Sequence, residues 1–192
     1  MTLLGREAVA QVLEAFGPEA CVVCANGYVS REVHALGDRP SHFYMLGSMG
    51  LAASIALGCA LARPERRVVV LDGDGNVLMG LDALALIGAQ RPPNLFHVVL
   101  DNGVYAATGN QPSIAAGVSL QGIARAAGYR TSLEVADAAA LAAALTGFGD
   151  APAPAFLRVR IAREEHPRDF PRVAPTPLEL RDRFAAALRG TA

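Results

Sequence analysis

Residues 67–76 read Arg-Val-Val-Val-Leu-Asp-Gly-Asp-Gly-Asn. The apolar, β-branched half is a strand covered on both faces. The Asp72-Gly73-Asp74-Gly75 run then stops it. Glycines on both sides of Asp74 let the backbone approach a phosphate closely, and a following helix would turn its amides toward that phosphate. A carboxylate cannot bind phosphate directly, so Asp74 reads as the holder of a divalent cation that does. Mg²⁺ commonly takes one or two protein ligands and fills its shell with phosphate oxygens and water. The second oxygen ligand is Asn102, 28 residues further on at the end of the next apolar run. One helix and one returning strand fit that interval, which brings both side chains to one edge of a parallel sheet.

Outward from this stretch, short apolar runs alternate with helical patterns. Ala20–Ala25, Phe96–Leu100, a segment near Leu133 and Phe156–Ile161 read as strands. Arg6–Phe16, Ser48–Leu61, Met79–Ala89, Ser119–Ala127, Asp137–Leu145 and Leu178–Leu188 read as helices. Arg31–Arg39 is mixed and polar, with no assignment. The order predicts an α/β fold: a single-domain, doubly wound, mainly parallel sheet with helices on both faces. Ligands of such sheets bind beyond the carboxyl ends of the strands. Asn26-Gly27, the 72–76 run and Asp101-Asn102-Gly103 all fall there.

The chain has 192 residues and a net charge of −1, which gives no electrostatic reason for a nucleic-acid partner. All 17 basic residues are Arg. Without lysine there is no Schiff-base chemistry and no Walker A lysine. Cys21, Cys24 and Cys59 are core thiols in this reading, because no second Cys pair or His pair completes a metal site. The uncharged stretch Phe43–Ala62 contains glycines and serines and is expected to be a buried helix, not a membrane span. No secretory signal is visible, and a cytoplasmic location is expected.

Gly73-Asp74-Gly75 followed by Asp101-Asn102 resembles the signature of the thiamine-diphosphate-dependent 2-oxo-acid decarboxylases, in which an Asn pair follows the GDG; here Asp101 replaces the first Asn. Gly47-Ser48-Met49-Gly50 resembles the segment that grips the aminopyrimidine ring. The runs 26–32 and 101–112 look most like phosphonopyruvate decarboxylase and the beta subunit of sulfopyruvate decarboxylase, with the similarity covering about Leu4 to Arg160. The resemblance implies thiamine diphosphate and Mg²⁺ as cofactors. It implies Asp74, Asn102 and the Val104 carbonyl as metal ligands. Gly27, Tyr28, Gly73, Gly75 and Asn76 would face the diphosphate. Gly47, Ser48 and Met49 would hold the pyrimidine, with Met49 wedging the cofactor into its bent form. The substrate would be a 2-oxo acid with a second anionic group, met by Arg31, Thr108 and Gln111.

The family's activating Glu comes from a separate pyrimidine-binding domain, and none of the nine Glu residues here matches its motif. The chain therefore resembles the diphosphate-binding half, residues 1–165, followed by a proline-rich tail and helix, 166–192, packed on the domain or on a partner. An alpha-type partner subunit is expected to complete the site, with a homodimer in isolation through the 47–54 surface and the last helix. His42 and His34 read as polar loop residues that are also catalytic candidates, His42 being the one carried forward. Two alternatives remain at this stage. Asp72-Gly73-Asp74-Gly75 also approximates the first motif of haloacid-dehalogenase-type phosphatases, with Asp72 as nucleophile and Asp74 as acid/base. A non-catalytic binding module is the other.

Overall fold

The computed structural model describes residues 3–164 and 170–190. Among the described residues there are eight strands: β1 (Cys21–Cys24), β2 (His42–Tyr44), β3 (Val68–Gly73), β4 (Leu95–Asp101), β5 (Val104–Tyr105), β6 (Gln111–Pro112), β7 (Thr131–Val135) and β8 (Ala155–Arg160). The helices are α1 (Gly5–Phe16), α2 (Tyr28–Gly37), α3 (Ala52–Ala62), α4 (Asp74–Met79), α5 (Leu81–Gln90), α6 (Leu120–Ala127), α7 (Ala138–Phe148) and α8 (Pro177–Arg189). Six strands form one parallel sheet in the order β2-β1-β3-β4-β8-β7, while β5 and β6 make a small antiparallel pair. The doubly wound sheet expected from the sequence is the observed one.

Two apolar layers flank the sheet. One joins α1, α2 and α7 through Val9, Val12, Val33, Leu141 and Phe148. The other joins α3, α5 and α6 through Ala56, Leu84, Ile87, Leu120 and Ala124. Strands β1, β3 and β4 are buried along almost their whole length, which explains runs without apolar/polar alternation. Cys21 and Cys24 stand in opposite layers, since an odd spacing on a strand reverses the face. All three cysteines are free and buried. From β1 the chain first builds outward to β2 and then returns to β3, so the winding direction changes between β1 and β3. A crevice opens at such a point.

Several boundaries differ from the sequence reading. Tyr28–Gly37 is a helix, with Ser30, Glu32 and Val33 turned inward, and His42–Tyr44 is a strand. Both are short, and α2 carries too few apolar residues to show a periodic stripe. The helix expected from Ser48 begins only at Ala52, because Ser48 and Gly50 take positive φ values of 52° and 90°. The helix expected from Met79 is split at Gly80, where a Cβ would lie 2.1 Å from the Gly50 carbonyl oxygen. That contact seats the 47–50 loop against α4.

The tail boundary at 165/166 and the start of the proline-rich tail at Pro167 lie outside the described residues. The Leu180 and Phe184 stripe of α8 packs on this chain. Leu180 joins one layer and Phe184 the other, the latter against Phe43 with ring centroids 5.3 Å apart. Arg183 makes a two-pronged pair with Asp38 at 2.6 and 2.7 Å. Helix α8 thus covers the edge strand β2, which would otherwise offer unpaired backbone groups. Among the described residues no helix is long and apolar enough to cross a membrane.

Candidate active site

A cavity lies beyond the carboxyl ends of β1, β3 and β4. It is lined by Asn26, Gly27 and Tyr28 after β1, by Gly73, Asp74 and Gly75 after β3, and by Asn102, Val104, Tyr105 and Thr108 after β4. Met49 reaches it from the 47–50 loop. Residues from the three strand ends singled out in the sequence line one cavity, at the change of winding direction.

Each cavity residue is held by local chemistry. Asp74 is buried and accepts a hydrogen bond from the Ser113 hydroxyl. Burial pushes its carboxyl above the usual range, with Ser113 acting in the opposite sense. Ser113 carries no signal in the sequence; it comes close only because its amide bonds the Gly103 carbonyl at 2.9 Å and turns the loop back. Asn102 Oδ1 accepts from the Val104 amide at 3.0 Å, which fixes the turn after β4. Gly75 is required by space, since a Cβ there would lie 2.4 Å from the Tyr105 ring and 3.2 Å from Met49 Cε. Gly27 has φ +88°, which favours glycine. Its missing side chain leaves room where a Cβ would sit 3.3 Å from Ala107. The amide oxygen of Asn26 is buried with no hydrogen-bond partner.

Beneath the site lies a charged layer that the sequence reading missed. Arg158, fully buried on β8, donates from Nε to Asp101 Oδ2 at 2.7 Å. Its Nη2 also lies 2.5 Å from the same oxygen. It further donates to the Ala115 and Val118 carbonyls. Asp101 Oδ1 accepts from the Gly103 amide. A carboxylate at 101 is thus the counter-ion of Arg158, which accounts for Asp where the resemblance expects Asn.

Other candidates fall elsewhere. Asp72, only 1% exposed, spends Oδ1 on the Gly73 amide and Oδ2 on His97 Nε2 at 3.2 Å. His97 Nδ1 accepts from Tyr129 at 3.1 Å. Asp72 is a structural acid with both oxygens engaged, and the phosphatase reading, which needs it as a free nucleophile, fails on that geometry. His42 is not at the cavity. It is buried on β2, donating from Nδ1 to Tyr44, whose hydroxyl donates to Asp38. Burial pulls its pKa down to about 4, so it stays neutral. His34 lies on α2, not in a loop. Asn76 is not itself among the residues that line the cavity; its Oδ1 accepts from the Gly50 amide at 3.2 Å. Arg31 stacks over the Tyr28 ring at 5.4 Å and does not itself line the cavity. Thr108 does line it, and donates to Gln111, which is exposed. Gly47 and Ser48 are exposed beside Met49. Glu32, which the sequence reading left among the ordinary Glu residues, lines the cavity, with Glu164 beside it on the lining.

Residues 22–159 match the family described as thiamine pyrophosphate enzyme, C-terminal TPP binding domain. The chain belongs to this family. It is 49% identical over 146 residues to a phosphonopyruvate decarboxylase of Streptomyces viridochromogenes, covering 73% of this chain and 36% of that protein. It is 50% identical over 123 residues to a sulfopyruvate decarboxylase subunit beta of Methanothermobacter thermautotrophicus, 64% of each. A sulfopyruvate decarboxylase subunit beta of Methanococcus maripaludis is 33% identical over 192 residues, 97% of this chain and 98% of that one. The chain thus spans about a third of the phosphonopyruvate decarboxylase. The fold aligns with a Rhodococcus jostii thiamine diphosphate-dependent 4-hydroxybenzoylformate decarboxylase at a TM-score of 0.73 and 25% identity, over 86% of this chain and 34% of that one.

Proposed function

We propose that this chain is the diphosphate-binding subunit of a thiamine-diphosphate- and Mg²⁺-dependent decarboxylase acting on a 2-oxo acid with a second anionic group. The observation that carries the reading is the convergence of Asp74, Asn102 and a glycine-walled recess at one cavity. The residues fit a Mg²⁺-bridged diphosphate. Asp74, the Asn102 amide oxygen and the Val104 carbonyl are hard oxygen donors of the kind Mg²⁺ takes. Gly27 and Gly75 hold space that a Cβ would fill. When bound, thiamine diphosphate supplies the electron sink for the charge left as carbon dioxide departs.

The chain's own residues bind and orient. Asp74, Asn102 and Val104 hold the metal, while Gly27, Tyr28, Gly73 and Gly75 let backbone reach the diphosphate. Met49, with Gly47 and Ser48, shapes the pyrimidine end. Arg31, drawn over Tyr28, together with Thr108 and Gln111 meets the substrate's second anion; the names of the sulfopyruvate and phosphonopyruvate relatives support that substrate class. Residues 1–165 form the cofactor half, and 166–192 the appended tail.

An alpha-type partner carrying a pyrimidine-binding domain supplies the activating Glu. The relatives' designation as beta subunits supports a partner. So does the apolar surface at the site's rim, where Leu46, Leu51, Met79 and Ile114 are about half to two-thirds exposed. Alone, the chain pairs with itself through that rim, the contribution of α8 being spent on its own domain.

The test is carbon dioxide release from sulfopyruvate, phosphonopyruvate and pyruvate. The pure chain is expected to be silent, and addition of a companion chain encoded beside it should restore turnover on an anionic substrate. Brisk turnover by the pure chain would overturn the two-chain site, and silence of the pair on all three acids would overturn the decarboxylase.

A further inference from the structure

The cavity has a second end that the cofactor ligands do not use. Glu32, on the second turn of α2, is 6% exposed and lines the same cavity as Asp74 and Asn102. Its carboxyl lies against the first turn of α1: a Cβ on Gly5 would be 3.2 Å from both its oxygens. No hydrogen bond to Glu32 is made among the described residues, and its oxygens lie beside Gly5, another residue of the cavity wall. A carboxylate in that position can only accept hydrogen bonds. It would meet the anionic oxygens of a diphosphate with nothing but repulsion.

We infer that Glu32 is a neutral acid when the cavity is filled, donating a hydrogen bond to the bound anion, so that cofactor binding takes up a proton at this residue. This rests on the cofactor reading above. The proton comes from solvent onto a Glu32 oxygen, with no other bond made or broken.

The surroundings agree. From α1, Arg6 and the helix N-terminus favour the charged form. From the segment after β8, Glu164 disfavours it. From β5 and α2 come the side chains of Tyr105 and Tyr28, which line the same cavity. Burial, followed by the Glu164 charge, outweighs Arg6 and pushes the Glu32 pKa up to about 7. Filling the cavity removes the remaining water and adds an acceptor for the proton; both raise the proton's affinity further.

The experiment is titration calorimetry of the full chain with thiamine diphosphate and Mg²⁺, from pH 6 to 9, in two buffers of different protonation enthalpy. The cofactor's own ionisation is common to all variants, so differences between them count the Glu32 proton. Relative to Glu32→Gln, the wild type should take up about half to one proton near pH 8. Its affinity should fall toward tenfold per pH unit on the alkaline side. Glu32→Gln keeps a neutral donor and should show only the proton count and pH dependence of the cofactor's own ionisation. Glu164→Gln, which leaves the α1–α2 packing intact, should move the alkaline midpoint to lower pH. Binding by the wild type with the same proton count as Glu32→Gln, or an unmoved midpoint in Glu164→Gln, would overturn the inference and leave the cofactor reading standing. Absence of any binding by the wild type would overturn the cofactor reading and this inference with it.

Discussion

The two ends of the cavity are built from opposite materials. At the β3–β4 end, Asp74 and Asn102 stand on turns locked by backbone hydrogen bonds, glycines hold the walls back, and a buried Arg158–Asp101 pair underlies the turn after β4. At the α1–α2 end, the Glu32 carboxyl, with Glu164 on the same lining, faces the space without a hydrogen-bond partner among the described residues. The first end is preorganised and charged, suited to a metal that must be held in fixed geometry. The second is left unsatisfied, suited to a ligand that completes it. The difference teaches that a site can be rigid where it holds the ion and poised where it reads the anion.

Removing the support under the first end should have the largest effect. Arg158→Ala strands Asp101 as an unpaired buried carboxylate and is expected to cost about 3–5 kcal/mol of folding stability, measured by urea denaturation. Pairing Arg158→Met with Asp101→Asn should recover most of that loss, because the uncompensated charge disappears. If the double variant is no better than the single, the pair is not what supports this end.

Gly75→Ala comes next. A Cβ 2.4 Å from the Tyr105 ring forces the cavity wall to move. About 1–3 kcal/mol of stability should be lost. Gly47→Ala, which meets nothing within 4 Å, should stay within about 0.5 kcal/mol. Equal effects at the two glycines would deny that the recess is shaped by Gly75.

The smallest effect separates the second end by pH. Glu32 has a folded pKa of about 7, above its ordinary 4.5, so the native state binds the extra proton between those values. Its contribution is fully present below pH 4.5 and is lost as pH rises toward 7. His42 runs the other way. Its folded pKa near 4 lies below the ordinary 6.5, so the unfolded chain binds the proton and stability is lost as pH falls through that window. The two slopes oppose each other in the wild type. Glu32→Gln should unmask the His42 slope, with stability rising from pH 4.5 to 6.5 more steeply than in the parent. An unchanged profile in urea midpoints would mean that Glu32 is not buried in its charged form.

The legibility of these features follows the same division. The β3–β4 end could be read because each of its signals is local: a β-branched run, a glycine-flanked acid, and an amide one strand later. The sheet was legible for the same reason, its strands being continuous apolar runs. The α1–α2 end could not, because its helix is ten residues long with few apolar positions, and Glu32 stands in a stretch that looks like solvated charge. Ser113 and Arg158 were hidden by distance, lying 39 and 57 residues from the acids they contact. His42 misled because a histidine beside a loop looks available, whereas a three-residue strand buries it. Asp72 shows the limit of motif matching: it sits two residues from Asp74, yet the strand end directs it into a buried pair with His97.

Calorimetry of the chain with thiamine diphosphate and Mg²⁺, comparing the wild type with Asp74→Ala and Asp72→Asn, tests the central claim most directly. Asp74→Ala removes the one anionic metal ligand, and affinity should fall by about tenfold or more. Asp72→Asn, which disturbs only the buried contact with His97, should lower folding stability while leaving cofactor affinity within about threefold, roughly 0.6 kcal/mol. Unchanged affinity in Asp74→Ala, or a loss confined to Asp72→Asn, would contradict the assignment of this cavity.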